Sequence, residues 1–248
     1  MTPDPVIPKA QPGEGPTLLD LATNGTIDAG MAALLWSVAA EKKSFLVVAE
    51  PQKAGKSAVS NAMLDMAPAG TPIHRLTGAI EETREIAKQP DGGYLVIGEF
   101  SEGRPAHYIW GEPVREVIKV AAAGFSLTTT MHAPGVESTF DQICNGNGVN
   151  DSGAAMFEYF IFIRRMGEVD SYWRRVLEIR EVTGVVDGVP DTRLLHSWNE
   201  SQDTFARVTG PTMLNATQSE IARRAALIRA AVTDGVTDRA MAAQLRDA

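Results

Sequence analysis

The apolar residues of this chain fall into short runs separated by amphipathic stretches. Phe45–Ala49, Ile73–Thr77, Tyr94–Gly98, Phe125–Met131 and Phe157–Ile163 have the length and the β-branched or aromatic content of strands. Between them the period lengthens to that of a helix, over Ser57–Met66, Glu81–Lys88 and Pro113–Ala122. In the last of these Val114, Val117, Ile118 and Ala121 share one face, and Gly124 closes the end. Strand and helix alternating in this way predict an α/β fold, with a mostly parallel sheet flanked by helices. Ahead of the first strand, Leu18–Ala40 reads as helical, with a restart and an N-cap expected in Gly25-Thr26-Ile27-Asp28.

Beyond Ile163 the pattern changes. Arg164-Arg165-Met166-Gly167-Glu168 reads as a turn, and Trp173–Glu181 and Thr192–Trp198 as strands of a small antiparallel extension. Thr217–Leu245 returns to a helical period. It opens with Thr217 and Glu220 at capping-box spacing and restarts near Thr237. Residues 1–16 hold Pro3, Pro5, Pro8, Pro12 and Pro16 among few apolar residues, which predicts a flexible tail. The chain shows no internal repeat.

At 248 residues and 44% apolar, the chain suffices for one large α/β domain or a domain with a small appendage. A net charge of −8 argues against a general nucleic-acid binder. The single cysteine, Cys144, excludes an intrachain disulfide and reads as a buried, inert thiol in a reducing compartment. No apolar run reaches the roughly 18–20 residues of a membrane span. The N-terminus has neither the charged nor the apolar region of a signal peptide. A soluble cytoplasmic protein is expected.

Chemistry enters at Glu50-Pro51-Gln52-Lys53-Ala54-Gly55-Lys56-Ser57, between the strand Phe45–Ala49 and the helix that follows. Strand, tight loop ending Gly-Lys-Ser, then helix is the setting of a phosphate-binding P-loop. Backbone N–H groups from Gln52, Lys53, Ala54, Gly55, Lys56, Ser57 and Ala58 would cradle the phosphates of ATP. Lys56 would reach the terminal phosphates, and Ser57 would ligate Mg²⁺. The match is incomplete, because Glu50 stands where the motif has Gly. A carboxylate about 8 Å from a phosphate charge repels it by about 2 kcal/mol at an effective dielectric near 20. The same carboxylate turned to solvent costs almost nothing.

Tyr94-Leu95-Val96-Ile97-Gly98-Glu99 is an apolar strand ending in an acid. One crossover after a P-loop, such an acid can hold Mg²⁺ or polarise the attacking water. Thr128-Thr129-Thr130-Met131-His132 ends a further strand, where His132 can sense the terminal phosphate. His74, His107 and His196 have no comparable setting.

In order, these segments resemble the ATPases of type II secretion, type IV secretion and Tad-type or type IV pili. The likeness runs from about Leu18 to about Pro211. Pro90-Asp91-Gly92-Gly93-Tyr94-Leu95-Val96-Ile97-Gly98-Glu99 resembles the family's Walker B segment. Gly124-Phe125-Ser126-Leu127-Thr128-Thr129-Thr130-Met131-His132-Ala133 resembles its His box. Phe157–Ile163 and Arg175-Val176-Leu177-Glu178-Ile179-Arg180-Glu181-Val182-Thr183-Gly184 resemble its closing strands. The resemblance implies a RecA-like P-loop NTPase core over 17–210, similar to the family's C-terminal domain, followed by a helical segment over 211–248. It implies ATP and Mg²⁺ as ligands, with Lys56, Glu99 and His132 catalytic and Ser57 and Glu99 on the metal. It also implies oligomers with secretion or pilus motor subunits and contact with a membrane platform protein.

Departures from the family are as clear. Its N-terminal domain, which contributes arginines to the nucleotide, is expected to have no counterpart in these 248 residues. Its acidic Asp box is replaced by Leu76-Thr77-Gly78, and its Arg two residues past the Walker B Glu is Ser101, with Arg104 nearby. ATP binding is therefore expected more firmly than hydrolysis, since transition-state arginines contribute about 10³–10⁵-fold to phosphoryl transfer. Two functions fit: a weakly hydrolysing motor ATPase, or a catalytically degenerate nucleotide-binding or scaffold partner of a full-length one. A small-molecule P-loop kinase is disfavoured, since no lid or substrate-arginine cluster is evident.

Overall fold

A computed structural model describes residues 14–50, 53–89, 92–103, 107–168 and 171–247. Most of the Pro-rich tail, Pro51, Gln52, Pro90, Asp91 and Arg104 lie outside the described residues. In chain order the elements are α1 (Leu18–Thr23), α2 (Ala29–Ala40), β1 (Phe45–Ala49), α3 (Lys56–Leu64), β2 (Ile73–Leu76) and α4 (Ile80–Ile86). There follow β3 (Tyr94–Ile97), β4 (Glu99–Phe100), β5 (Tyr108–Ile109), α5 (Glu112–Ala121), β6 (Ser126–His132) and α6 (Val136–Asp141), which runs into a π-helical turn at Gln142–Gly146. The rest is α7 (Asp151–Ala154), β7 (Tyr159–Glu168), β8 (Ser171–Val186), β9 (Val189–Asn199), β10 (Thr204–Arg207), α8 (Gln218–Thr233) and α9 (Arg239–Arg246).

Eight strands form one sheet in the order β10-β9-β8-β7-β1-β6-β3-β2. The block from β7 to β2 is parallel, and β8, β9 and β10 extend it antiparallel. The expected α/β class and the antiparallel extension are both present. β1 lies at the centre, and every one of its residues is buried. Phe45, Val47 and Ala49 face one core with α1, α2, α3 and α8, while Leu46 and Val48 face the other with α5 and α6. Helices on both sides explain why β1 reads as a continuous apolar run rather than an alternating one. β3 repeats the arrangement, with Tyr94 and Val96 to one side and Leu95 and Ile97 to the other.

The helix boundaries follow from their caps. Asp28 caps α2 by accepting from the Met31 N–H at 2.7 Å, at the restart that the sequence predicts. Thr217 and Glu220 close the predicted capping box of α8. Asp238 caps α9, one residue past the expected restart near Thr237.

The predicted turn over Arg164–Glu168 is absent. β7 runs straight through it to Glu168, in register with β8 as Arg164↔Arg175, Arg165↔Arg174 and Gly167↔Tyr172. Here the hairpin has left the cover of the helices, so no apolar pattern marks it, and the ladder to β8 alone holds it extended. β4, β5, β10 and the short helices of residues 136–154 were not predicted either. Each is too short to display a period.

Candidate functional site

Parallel strands bring their carboxyl ends to one edge of the sheet. β1 ends at Ala49, directly beside His132 at the end of β6, and β3 ends beyond β6. β6 thus separates the strand that leads into the loop from the strand that leads to Glu99. Gly55 is the N-cap of α3, in the left-handed conformation at φ +102° and with no side-chain cap, so the first amides of α3 have no capping side chain. The loop is thereby turned to place Lys56 back into the cleft between strands.

Three of the predicted side chains meet there. Lys56 Nζ lies 2.6 Å from His132 Nε2 and 3.4 Å from Glu99 Oε2. His132 Nε2 lies 3.6 Å from Glu99 Oε1. His132 Nδ1 is 3.2 Å from the Ala49 carbonyl oxygen. These partners fix the tautomer: Nδ1–H donates to the carbonyl, and Nε2 accepts from the Lys56 ammonium. Burial and the neighbouring Lys56 charge hold the imidazole below the usual histidine range, against the opposing pull of Glu99. It is neutral at pH 7. Burial also lowers Lys56, again against Glu99.

Glu99 is 3% exposed. The Thr130 hydroxyl sits 2.8 Å from the Gly98 carbonyl and 3.3 Å from Glu99 Oε2, which ties β6 to the acid. β4 pairs with β5, and the Glu99 N–H donates to the His107 carbonyl at 3.1 Å. A Cβ on Gly98 would lie 2.7 Å from that same carbonyl oxygen, which explains the glycine ahead of the acid. Glu99 Oε1 is buried with no hydrogen-bond partner among the described residues. An orphaned carboxylate oxygen 3.6 Å from His132 Nε2 fits a site that receives a cation or a water.

The cavity at this edge measures about 470 Å³ and is lined by residues 53–58 together with Glu99, Tyr108, His132 and Arg174. Three cationic side chains and one carboxylate face it, within a chain of net charge −8. Such a cleft favours a polyanion. Lys53 is exposed at the rim with φ +62°, while Ala54 is buried beneath it. Ser57 and Ala58 complete the first turn of α3, and Gln52 lies outside the described residues. Glu50 is exposed and is not among the residues lining the cavity, although its charge still acts on His132, so solvent screens it only in part.

Two lining residues did not stand out from the sequence as part of this site. Tyr108 comes from the two-residue strand β5, and its hydroxyl is pushed up by burial and by the Glu99 charge. Arg174, from β8, reaches the loop of its own chain, with Nη2 3.3 Å from the Lys53 carbonyl. His74, His107 and His196 stay outside the cavity. Burial raises the Cys144 thiol, with Asp151 and Asp141 adding to it, in keeping with an inert cysteine. Among the described residues no group of three or more His, Cys, Asp or Glu side chains could hold a metal ion, and no helix is long and apolar enough to cross a membrane.

No family model matches the chain, and no curated protein does. Solved structures that share its architecture include the VirB11 ATPase of the Brucella suis type IV secretion system in complex with sulphate. That pair has 16% identity and a TM-score of 0.49, over 66% of this chain and 54% of the other. The Legionella pneumophila ATPase DotB gives 14% and 0.48, over 69% and 52%. The Yersinia pseudotuberculosis ATPase DotB gives 12% and 0.42, over 92% and 62%. The chain spans about half the length of the first two. At this level of likeness the chemistry rests on the site's own geometry.

Proposed function

We propose that this chain is an ATP-binding subunit of a secretion or pilus-assembly motor, acting in the cytoplasm within an oligomer and hydrolysing ATP slowly when alone. The observation that carries the reading is the convergence of Lys56, Glu99 and His132 from three separate strand ends, at the start of α3. Lys56 supplies charge to the terminal phosphates and the first amides of α3 donate to them. Glu99 accepts a proton from water or orients it, and the neutral His132 holds Lys56 in line. Ser57 and Glu99 are the residues that would hold Mg²⁺, which would supply charge neutralisation on the phosphate oxygens.

The ordered resemblance to secretion ATPases supports the motor assignment. An open cleft supports dependence on assembly: Tyr172 and Trp173 are 46% and 50% exposed, and Tyr172 lies against Arg174 at the cavity. A neighbouring subunit over that rim would exclude water from the phosphates. Phosphate release from Mg-ATP, followed over a range of protein concentrations, tests the proposal. Slow release that rises with concentration is expected. High turnover per site, constant down to monomeric concentrations, contradicts the dependence on assembly. Retained ATP binding with no release at any concentration would leave the degenerate partner.

A further inference from the structure

Arg165 and Arg174 face each other across the β7–β8 hairpin, an arrangement of like charges that costs stability unless something offsets it. Among the described residues neither forms a salt bridge. Other arginines of the extension do: Arg175 grips Asp203 through two contacts of 2.8 Å, and Arg180 pairs with Glu178 at 2.9 Å. What holds Arg174 instead is an aromatic face. Its guanidinium carbon lies 4.7 Å from the Tyr172 ring centroid, and that of Arg165 lies 5.6 Å from the same ring.

This hold carries Arg174 over the loop. A Cβ on Gly55 would meet Arg174 Cδ at 3.0 Å and Nε at 3.2 Å, so the side chain lies flat on the glycine that starts α3. Nη2 reaches the Lys53 carbonyl, while Nε is buried with no hydrogen-bond partner among the described residues. Arg174 therefore lines the same cavity as Lys56, with an unpaired donor and an uncompensated charge. A planar fork of this kind suits phosphate oxygens better than a lysine does.

We propose that Arg174 binds phosphate in the pocket of its own chain, and that Tyr172 is the positioning residue that keeps it there. The inference rests on the nucleotide-binding reading of the cleft. It gives the site a guanidinium in cis, where the hairpin supplies the charge without a second subunit.

The test is calorimetric titration of the full chain with Mg-ATP and with AMP, for wild type, Arg174→Gln, Arg174→Lys and Tyr172→Leu. A lost charge-assisted contact weakens Mg-ATP binding by on the order of tenfold in Arg174→Gln. AMP binding should change less, so the preference for ATP over AMP falls. Arg174→Lys should recover part of the loss, and Tyr172→Leu should show a smaller loss of the same kind. Unchanged Mg-ATP affinity in Arg174→Gln, beside clear wild-type binding, overturns the inference and leaves the nucleotide reading intact. So does an equal loss for ATP and AMP, which would make Arg174 structural. Absence of Mg-ATP binding in wild type overturns both. Mixing Arg174→Gln with Lys56→Ala chains separates cis from trans: recovered Mg-ATP affinity in the mixture overturns the cis assignment.

Discussion

Replacing Glu99 with Gln probes the closed arrangement of the cleft directly. The amide matches the carboxylate in size and can still accept from Thr130, so packing is preserved while the charge is lost. Lys56 Nζ sits 3.4 Å from the carboxylate, and both side chains are more than nine-tenths buried. At that distance and an effective dielectric near 20, the gross attraction is about 5 kcal/mol. A phosphate that recruits Lys56 must weaken this attraction, and it also brings negative charge towards Glu99. If a quarter of the attraction is given up on binding, the loss is about 1.2 kcal/mol, so removing the carboxylate should tighten binding roughly eightfold. Turnover should move the other way, with phosphate release lower by at least about tenfold, a barrier change of about 1.4 kcal/mol. Calorimetric titration with ATP in EDTA isolates the electrostatic effect from any contribution of Glu99 to a metal. Tighter binding in EDTA together with slower release from Mg-ATP is expected. Unchanged or weaker affinity in EDTA would refute the claim that Glu99 restrains Lys56.

Two further outcomes concern His132 in the cleft and Glu181 beneath the segment ahead of α8. Because the folded protein holds His132 below its ordinary value of 6.5, protonation is more favourable in the unfolded chain. The stabilising contribution of His132 is therefore present above about pH 6.5 and is lost as pH falls through its lowered folded value. Urea unfolding of wild type and His132→Gln should show a difference that shrinks below about pH 6.5. A difference that grows on acidification contradicts the neutral assignment. Glu181 is fully buried and accepts from the Tyr159 hydroxyl at 3.0 Å, the Thr212 hydroxyl at 2.7 Å and the Met213 N–H at 2.7 Å, fastening the segment ahead of α8 to the sheet. Glu181→Gln turns two donor hydrogens towards donors and should cost about 2–4 kcal/mol in urea unfolding. A change below about 0.5 kcal/mol would mean that the segment is held by apolar packing alone.

The sequence makes the centre of the fold legible because there the physics is local. Phe45–Ala49 and Tyr94–Ile97 are apolar throughout since both their faces are covered, and a glycine, a lysine and a serine where strand gives way to helix can be read in the eight residues Glu50–Ser57. Glu99 and His132 are visible as strand ends once the strands are. Arg174 is not, because the β7–β8 ladder and the Tyr172 ring bring it to the cleft, in a hairpin whose exposed strands carry no apolar alternation. The same hairpin hides the course of Arg164–Glu168, where charged residues and Gly167 resemble a turn in sequence and are held extended by a partner strand. Tyr108 escapes notice for a related reason: its strand is two residues long and exists only because it pairs with Glu99-Phe100.

Lys56 is the residue on which nucleotide binding in this cleft should depend most. Calorimetric titration of Mg-ATP into wild type and Lys56→Ala should show clear binding in the first and loss of most of it in the second, with both proteins folded by circular dichroism. Equal affinity in the two, or no binding by wild type, would contradict the assignment of this cleft as a nucleotide site.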